Sequence, residues 1–215
     1  MSRAELPLGS AAPAASIRPT RRRMLAATGA AAALLVATLS GCAASDPLAQ
    51  QARAGDNKNY VAGDGSVTEY AKDTRKPPVD FDGTLYDGTK VSSKDLAGHV
   101  TVLNFWFAAC APCRLEAPEL EALHTEFKPQ GVAFYGVNLR DEKGTAEAFE
   151  QSFKLTYPSF NDKDGQVLLA MSGAVPPGAV PTTIVLDKQG RVASRVLGQL
   201  DKGTLKALIT SAAAE

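Results

Sequence analysis

The chain predicts an α/β fold in which a mixed central sheet carries helices on both faces. Three observations lead there. From about residue 79 onward, strand-like and helix-like patterns alternate, the order expected of a layered α/β domain. His99–Phe107 is an almost unbroken apolar run with β-branched residues, as in a strand buried on both faces of a parallel sheet. The last two strand patterns, Thr182–Leu186 and Arg191–Val196, are joined by the turn Asp187-Lys-Gln-Gly190 and must therefore be antiparallel.

The remaining elements follow in order. Val79–Asp82 and Thr84–Val91 read as short strands around an Asp87-Gly88 turn, a hairpin extension at the N-terminal side of the domain. Ser92–Leu96 suggests a short helix. After the central strand, Leu115, Leu120, Leu123 and Phe127 recur at helical spacing, with Glu116, Glu119, Glu121 and Glu126 between them. A helix is predicted from near Cys110 to Lys128, where Pro129 stops it. A strand over Val132–Asn138, a helix over Thr145–Phe153 and a short helix around Gln166–Met171 come next. The Pro-rich loop Val175–Pro181 leads into the last two strands, and a closing helix is predicted from Asp201 to Ala213.

The chain has 215 residues, 45% of them hydrophobic, and no net charge. That is enough for one domain with a core plus a targeting segment. Residues 1–41 hold five Arg and one Glu, which leaves 18 basic against 22 acidic residues in the remainder. A mildly acidic domain gives no reason to expect a nucleic-acid partner.

Residues 1–42 read as an export signal. The apolar run Met24–Leu39 follows Arg21-Arg22-Arg23 and ends in Leu39-Ser40-Gly41-Cys42, a basic, apolar and small-residue order. At 16 residues the run is shorter than the roughly 20 a spanning helix needs. Its last four residues resemble a bacterial lipoprotein cleavage box, which implies lipid on Cys42 as the first residue of the mature protein. Thr20–Leu25 and the polar lead-in resemble a twin-arginine signal. The alternative is an uncleaved membrane anchor, and both readings place the domain outside the cytoplasm. Residues 43–78, rich in Ala, Gly, Asp, Ser, Lys and Pro, read as a flexible, extended tether to the domain over 79–215. The alternative for this stretch is a strand or hairpin packed on the domain, since Tyr60-Val61 and Val67–Tyr70 could pair.

The chemistry centres on Cys110-Ala111-Pro112-Cys113, where a buried strand becomes a helix. Two intervening residues bring both sulfurs within reach once the first helical turn forms. Pro112 has no N–H to leave unsatisfied there. Free N–H groups and the helix dipole stabilise a negative first sulfur, so a thiolate forms at lower pH than usual. Cys110 is then the reachable nucleophile and Cys113 the shielded partner. A lone C-x-x-C is also half of many zinc sites, but the chain has no second pair, and His99 and His124 lack finger-like spacing. A purely structural disulfide would close too small a loop to stabilise much. Of the three cysteines, lipidation of Cys42 would leave these two as the free thiols.

The segment Asn104-Phe-Trp-Phe-Ala-Ala-Cys-Ala-Pro-Cys-Arg-Leu-Glu-Ala-Pro118 resembles the active site of TlpA/ResA-like thioredoxins, membrane-tethered bacterial reductases and exchangers. Val180-Pro181-Thr182, Asp187–Gly190 and Gly198 extend the resemblance over about 79–213. It implies a thioredoxin fold and thiol–disulfide oxidoreductase activity. The redox-active disulfide Cys110–Cys113 is then the catalytic group, with no other cofactor and no metal. It further implies a cis peptide bond at Val180–Pro181 facing the cysteines and Val180 backbone pairing with a bound polypeptide; Trp106 and Phe105 read as core residues, with an edge of the site as the alternative for Trp106. The implied partners are exported thiol or disulfide proteins, such as apocytochrome c, and a CcdA/DsbD-like membrane electron donor. The redox direction stays open between reductant, oxidant and isomerase.

Glu116 lies three residues after Cys113, on the same helical face. Cytosolic thioredoxins keep a buried aspartate before their Phe-Trp; here Asn104 stands in that place and cannot titrate. The resemblance implies that Glu116 carries the proton of the deeper thiol; the alternative is an exposed glutamate favoured by the helix dipole. Ala109 replaces the Trp or Ser often found before the first cysteine, which leaves the entrance less capped. His124 reads as a surface or boundary residue, and neither it nor His99 is given a role. Two other functions compete. A thiol peroxidase of peroxiredoxin type would want threonine where Phe107 stands. A copper-binding module could use soft thiolates, although Met171 is the only methionine in the expected domain.

Overall fold

The computed structural model describes residues 60–176 and 178–215. The export signal over 1–42 with Cys42, and the first part of the expected tether, lie outside the described residues. In chain order the strands are β1 (Val67–Glu69), β2 (Asp82–Thr84), β3 (Lys90–Ser92), β4 (Thr101–Trp106), β5 (Ala133–Asn138), β6 (Ser159–Asn161), β7 (Thr182–Leu186) and β8 (Val192–Leu197). The α-helices are α1 (Ala111–Phe127), α2 (Lys143–Phe153), α3 (Gln166–Ala170) and α4 (Lys202–Ala213). A 3₁₀ turn over Ser93–Leu96 stands where a short helix was expected.

Six strands form the central sheet in the order β1-β8-β7-β4-β5-β6, and β2 and β3 form a separate hairpin. β4 is parallel to β5, and β5 to β6, whereas β7 runs antiparallel to both β4 and β8. The sheet is therefore mixed, as expected. All six residues of β4 are buried, which is what an apolar run at the sheet centre requires.

Alternation along β4 divides the interior. Val102 faces a core built with Leu120, Leu123 and Phe127 of α1 and Leu205 and Ile209 of α4. Leu103 and Phe105 face the opposite core, with Phe81, Phe160, Val167 and Ile184. Asn104 shares the α1 face with Val102. The buried stripe of α1 is Glu116, Leu120, Leu123 and Phe127, whereas Leu115 is 64% exposed. The expected stripe was off by one residue at its first position, because 116, 120, 123 and 127 keep the helical period and 115 does not.

Three further departures are found. Residues 60–78 follow the alternative to a tether and pack on the domain: β1 pairs antiparallel with β8 at the sheet edge, and Val61 bridges to Ala179. Arg75 is buried against Asp187 and the C-terminal residue Glu215. Gly198 has φ 91°, and a Cβ there would lie 2.6 Å from the Gly63 carbonyl oxygen, so this close approach of the two segments needs glycine. β6 was not foreseen; three residues after Pro158 are too few for a readable period. His124, expected near the surface, is buried among Phe134 and Tyr157. Neither of its ring nitrogens has a hydrogen-bond partner among the described residues. Burial lowers its pKa, which keeps the ring neutral.

Candidate active site

Cys110 is the N-cap of α1 and is joined to Cys113 by a disulfide. Pro112 sits in the first turn, and the Cys113 N–H points at Cys110 Sγ over 3.3 Å. The strand end and the loop that carry the pair are held from below by Asp141. Its carboxylate accepts from the Ala108 N–H at 2.6 Å and from Asn138 Nδ2 at 2.8 Å. Asn138 in turn accepts the Asp141 N–H through Oδ1. Asp141 was not singled out from the sequence; the only available signal was the Asn138-x-x-Asp141 turn pattern just after a strand.

Trp106 lies at the end of β4, buried beside the pair, with its ring 4.3 Å from that of Phe149. It is a wall of the site more than an open platform. The Val180–Pro181 peptide bond is cis, and Val180 belongs to the apolar cluster around the two cysteines. Phe107, three residues before Cys110, is buried in the same cluster. Ala109 and Arg114 are at the surface, and the Arg114 guanidinium rests over the rings of Phe149 and Phe153.

Glu116 is wholly buried, which overturns the exposed reading. Asn104 Nδ2 donates to its Oε1 at 2.7 Å, and the Leu200 N–H donates to its Oε2 at 3.0 Å. Asn104 also donates to Thr183 Oγ1 at 3.0 Å, which ties the carboxyl to β7. Burial pushes the Glu116 pKa up; the Leu200 amide and Asn104 offset only part of it, and the result is about 8. Such a carboxyl gains or loses a proton near neutral pH.

One expectation about the pair itself is corrected. Cys110, expected to be the reachable sulfur, has no exposed surface, and Cys113 is 2% exposed. Both cysteines belong to a buried apolar cluster with Trp106, Phe107, Ala117, Phe149 and Val180, and Tyr60 packs against it. Tyr60 comes from the segment read as tether, so its place at the site was not legible from spacing.

A disulfide capping a helix that follows a central strand, with a cis-proline loop beside it, is the arrangement of thioredoxin-fold thiol–disulfide oxidoreductases. A model of the AhpC/TSA family matches residues 74–195. Thiol-disulfide oxidoreductase ResA of Geobacillus kaustophilus is 36% identical over 123 residues, covering 57% of this chain and 68% of that protein. A secreted thiol-disulfide isomerase from Corynebacterium glutamicum is similar in structure, with a TM-score of 0.66 at 31% identity, over 71% of this chain and 95% of that one. A DsbF homologue from Corynebacterium diphtheriae is similar with a TM-score of 0.60 at 33% identity, over 69% and 94% of the two chains. The chain belongs to the AhpC/TSA family and, within it, to the ResA/TlpA-like thiol–disulfide oxidoreductases.

Proposed function

We propose that Cys110 and Cys113 are the catalytic couple of an extracytoplasmic disulfide reductase that acts on exported proteins, apocytochrome c among them. The observation that carries this reading is the disulfide at the N-terminus of α1 with the protonatable Glu116 buried one turn further on. The similarity to ResA and to a secreted isomerase supports both the chemistry and the location. Cys42 is the lipidated first residue that holds the domain at the outer face of the membrane, and a CcdA/DsbD-like membrane protein supplies the electrons.

In the reduced pair, the first-turn N–H groups stabilise a thiolate on Cys110. That thiolate attacks one sulfur of the partner's disulfide. The partner's S–S bond breaks, a mixed disulfide forms, and the other partner sulfur leaves as a thiolate. Cys113 passes its proton to the ionised Glu116 carboxylate, and its sulfur attacks Cys110 Sγ. The internal disulfide forms, the second partner sulfur departs and is protonated, and two electrons have moved to the partner. A carboxyl that titrates near 8 can take up and release a proton close to neutral pH. Each carboxylate oxygen has two lone pairs, so acceptor capacity remains beside the bonds from Asn104 and Leu200. Val180, Pro181 and Trp106 line the approach to Cys110 and bind the partner.

The test is the two-electron reduction potential of the couple, together with turnover of a peptide disulfide of the C-x-x-C-H type. A potential near −270 mV with turnover that Cys110→Ser abolishes is the expected outcome; a potential near −120 mV would make the protein an oxidant instead. Mass spectrometry of the mature N-terminus checks the lipid on Cys42.

A further inference from the structure

A sulfur with no exposed surface cannot be attacked or attack, so some part of the wall over Cys110 must move. Trp106, Phe107, Ala117 and Phe149 belong to β4, α1, α2 and the β4–α1 connection, each tied into the sheet or a helix. Tyr60 and Val61 are different. They lie outside every helix and strand of the described residues, and an isolated backbone bridge joins them to the domain. The Val61 N–H donates to the Gly178 carbonyl at 2.8 Å, and the Val180 N–H donates to the Val61 carbonyl at 3.1 Å. These bonds make a parallel bridge between Val61 and Ala179. The Tyr60 ring meets the edge of Phe107 with centroids 5.4 Å apart.

That pairing has the form of strand addition. An extended polypeptide that adds to a backbone edge uses one carbonyl and one N–H of that edge and places a side chain in an adjoining pocket. Gly178 and Val180 offer such a carbonyl and N–H beside the disulfide, and Val61 uses both. Tyr60 fills the apolar recess against Phe107.

We propose that Tyr60–Val61 is a built-in strap that occupies the polypeptide-docking edge at Gly178–Val180, and that an extended partner segment must displace it to reach Cys110. This rests on the dithiol reading of the couple. The partner it fits is an unfolded or extended chain, with an aromatic or apolar side chain where Tyr60 now sits; a compact protein with a buried disulfide does not have the free backbone to compete.

The experiment uses the full chain, reduced, with two probes: an extended peptide carrying an internal disulfide, and bis(2-hydroxyethyl) disulfide, which has no backbone. Val61→Pro removes the donor to Gly178, and Tyr60→Ala leaves the backbone bonds but empties the recess. Both variants should raise the rate constant for the peptide, Val61→Pro by about tenfold, because a partner's apparent affinity scales with the fraction of open molecules. The gain for the small disulfide should be clearly smaller. In the wild type, the Val61 amide should be protected from hydrogen exchange and should lose that protection when a cysteine-free version of the peptide is added. An unchanged or lower peptide rate in both variants overturns the strap. An equal gain for both probes also overturns it, since that would mark a simple cover and no docking edge. Failure of wild type and variants alike to reduce either probe would sink the dithiol reading, and the strap with it.

Discussion

Two buried carboxyl groups stand at opposite ends of the β4–β7 pair, and their pKa values are moved in opposite directions. Glu116 reaches Asn104, which is paired with Thr183; Asp187 follows Leu186, which is paired with Thr101 at the other end of β4. Both are almost without exposed surface. Burial pushes both upward. Glu116 meets only neutral donors and rises to about 8. At Asp187 the Arg191 backbone N–H and the guanidinium groups of Arg75 and Arg191 outweigh burial, and the carboxyl is held below the usual range. Depth alone does not decide ionisation; the partner's charge does. Asp187 is an anion that clamps the N-terminal segment through Arg75, and Glu116 is a carboxyl whose ionisation burial resists.

The comparison can be tested at each end. The largest effect is expected in the pH dependence of the oxidised protein. Glu116 binds its proton more tightly when folded, so stability is full below the unfolded pKa and is lost as pH rises from 4.5 toward about 8. The loss should be on the order of 5 kcal/mol in all, at about 1.4 kcal/mol per pH unit where steepest. Urea unfolding from pH 5 to 8.5 should show it, and Glu116→Gln should flatten the curve; a variant with the wild-type slope breaks the comparison. At the other end, Asp187→Ala takes the carboxylate partner from Arg191 and leaves Arg75 with Glu215 alone, and it should cost about 3 kcal/mol at pH 7. Its lowered pKa gives the opposite sign: the contribution of Asp187 is present above 3.8 and is lost as pH falls further. The redox potential of the couple should not follow that substitution.

Smaller effects sharpen the picture. Arg75→Lys keeps the charge but loses the planar fork that serves Asp187 and Glu215 together, and thermal unfolding should register a loss of about 1–2 kcal/mol. The smallest shift is expected for His124→Phe. It keeps the ring contacts with Phe134 and Tyr157 and removes two nitrogens that have no partner. Stability at pH 7 should stay within about 1 kcal/mol of wild type or rise. Because the pKa of His124 is lowered on folding, the wild type also loses stability as pH drops below 6.5, and that part of the loss should vanish in the variant.

Much of this could be read along the chain. The order of strands and helices from residue 79, the start of α1 at Cys110 and the turn between β7 and β8 rest on spacing and on residues with strong local preferences, such as Pro112, Pro129 and Gly190. Chemistry of that kind acts over a few neighbouring residues, so a linear reading captures it. Glu116 was half legible: it keeps register with Leu120, Leu123 and Phe127, yet its carboxyl suggested an exposed face.

Burial was another matter. Whether Glu116 loses water depends on Asn104 and on the Leu200 amide, 84 residues away. Whether Cys110 is open depends on the cluster that Phe107, Val180 and their neighbours build around it, and whether residues 60–78 hang free depends on the edge of β8 and on Asp187. Desolvation and charge pairing are properties of groups brought together by packing. Only the assembled layers could raise the pKa of one carboxyl, lower that of the other, and pack a stretch of apparent tether against the cluster that holds the disulfide.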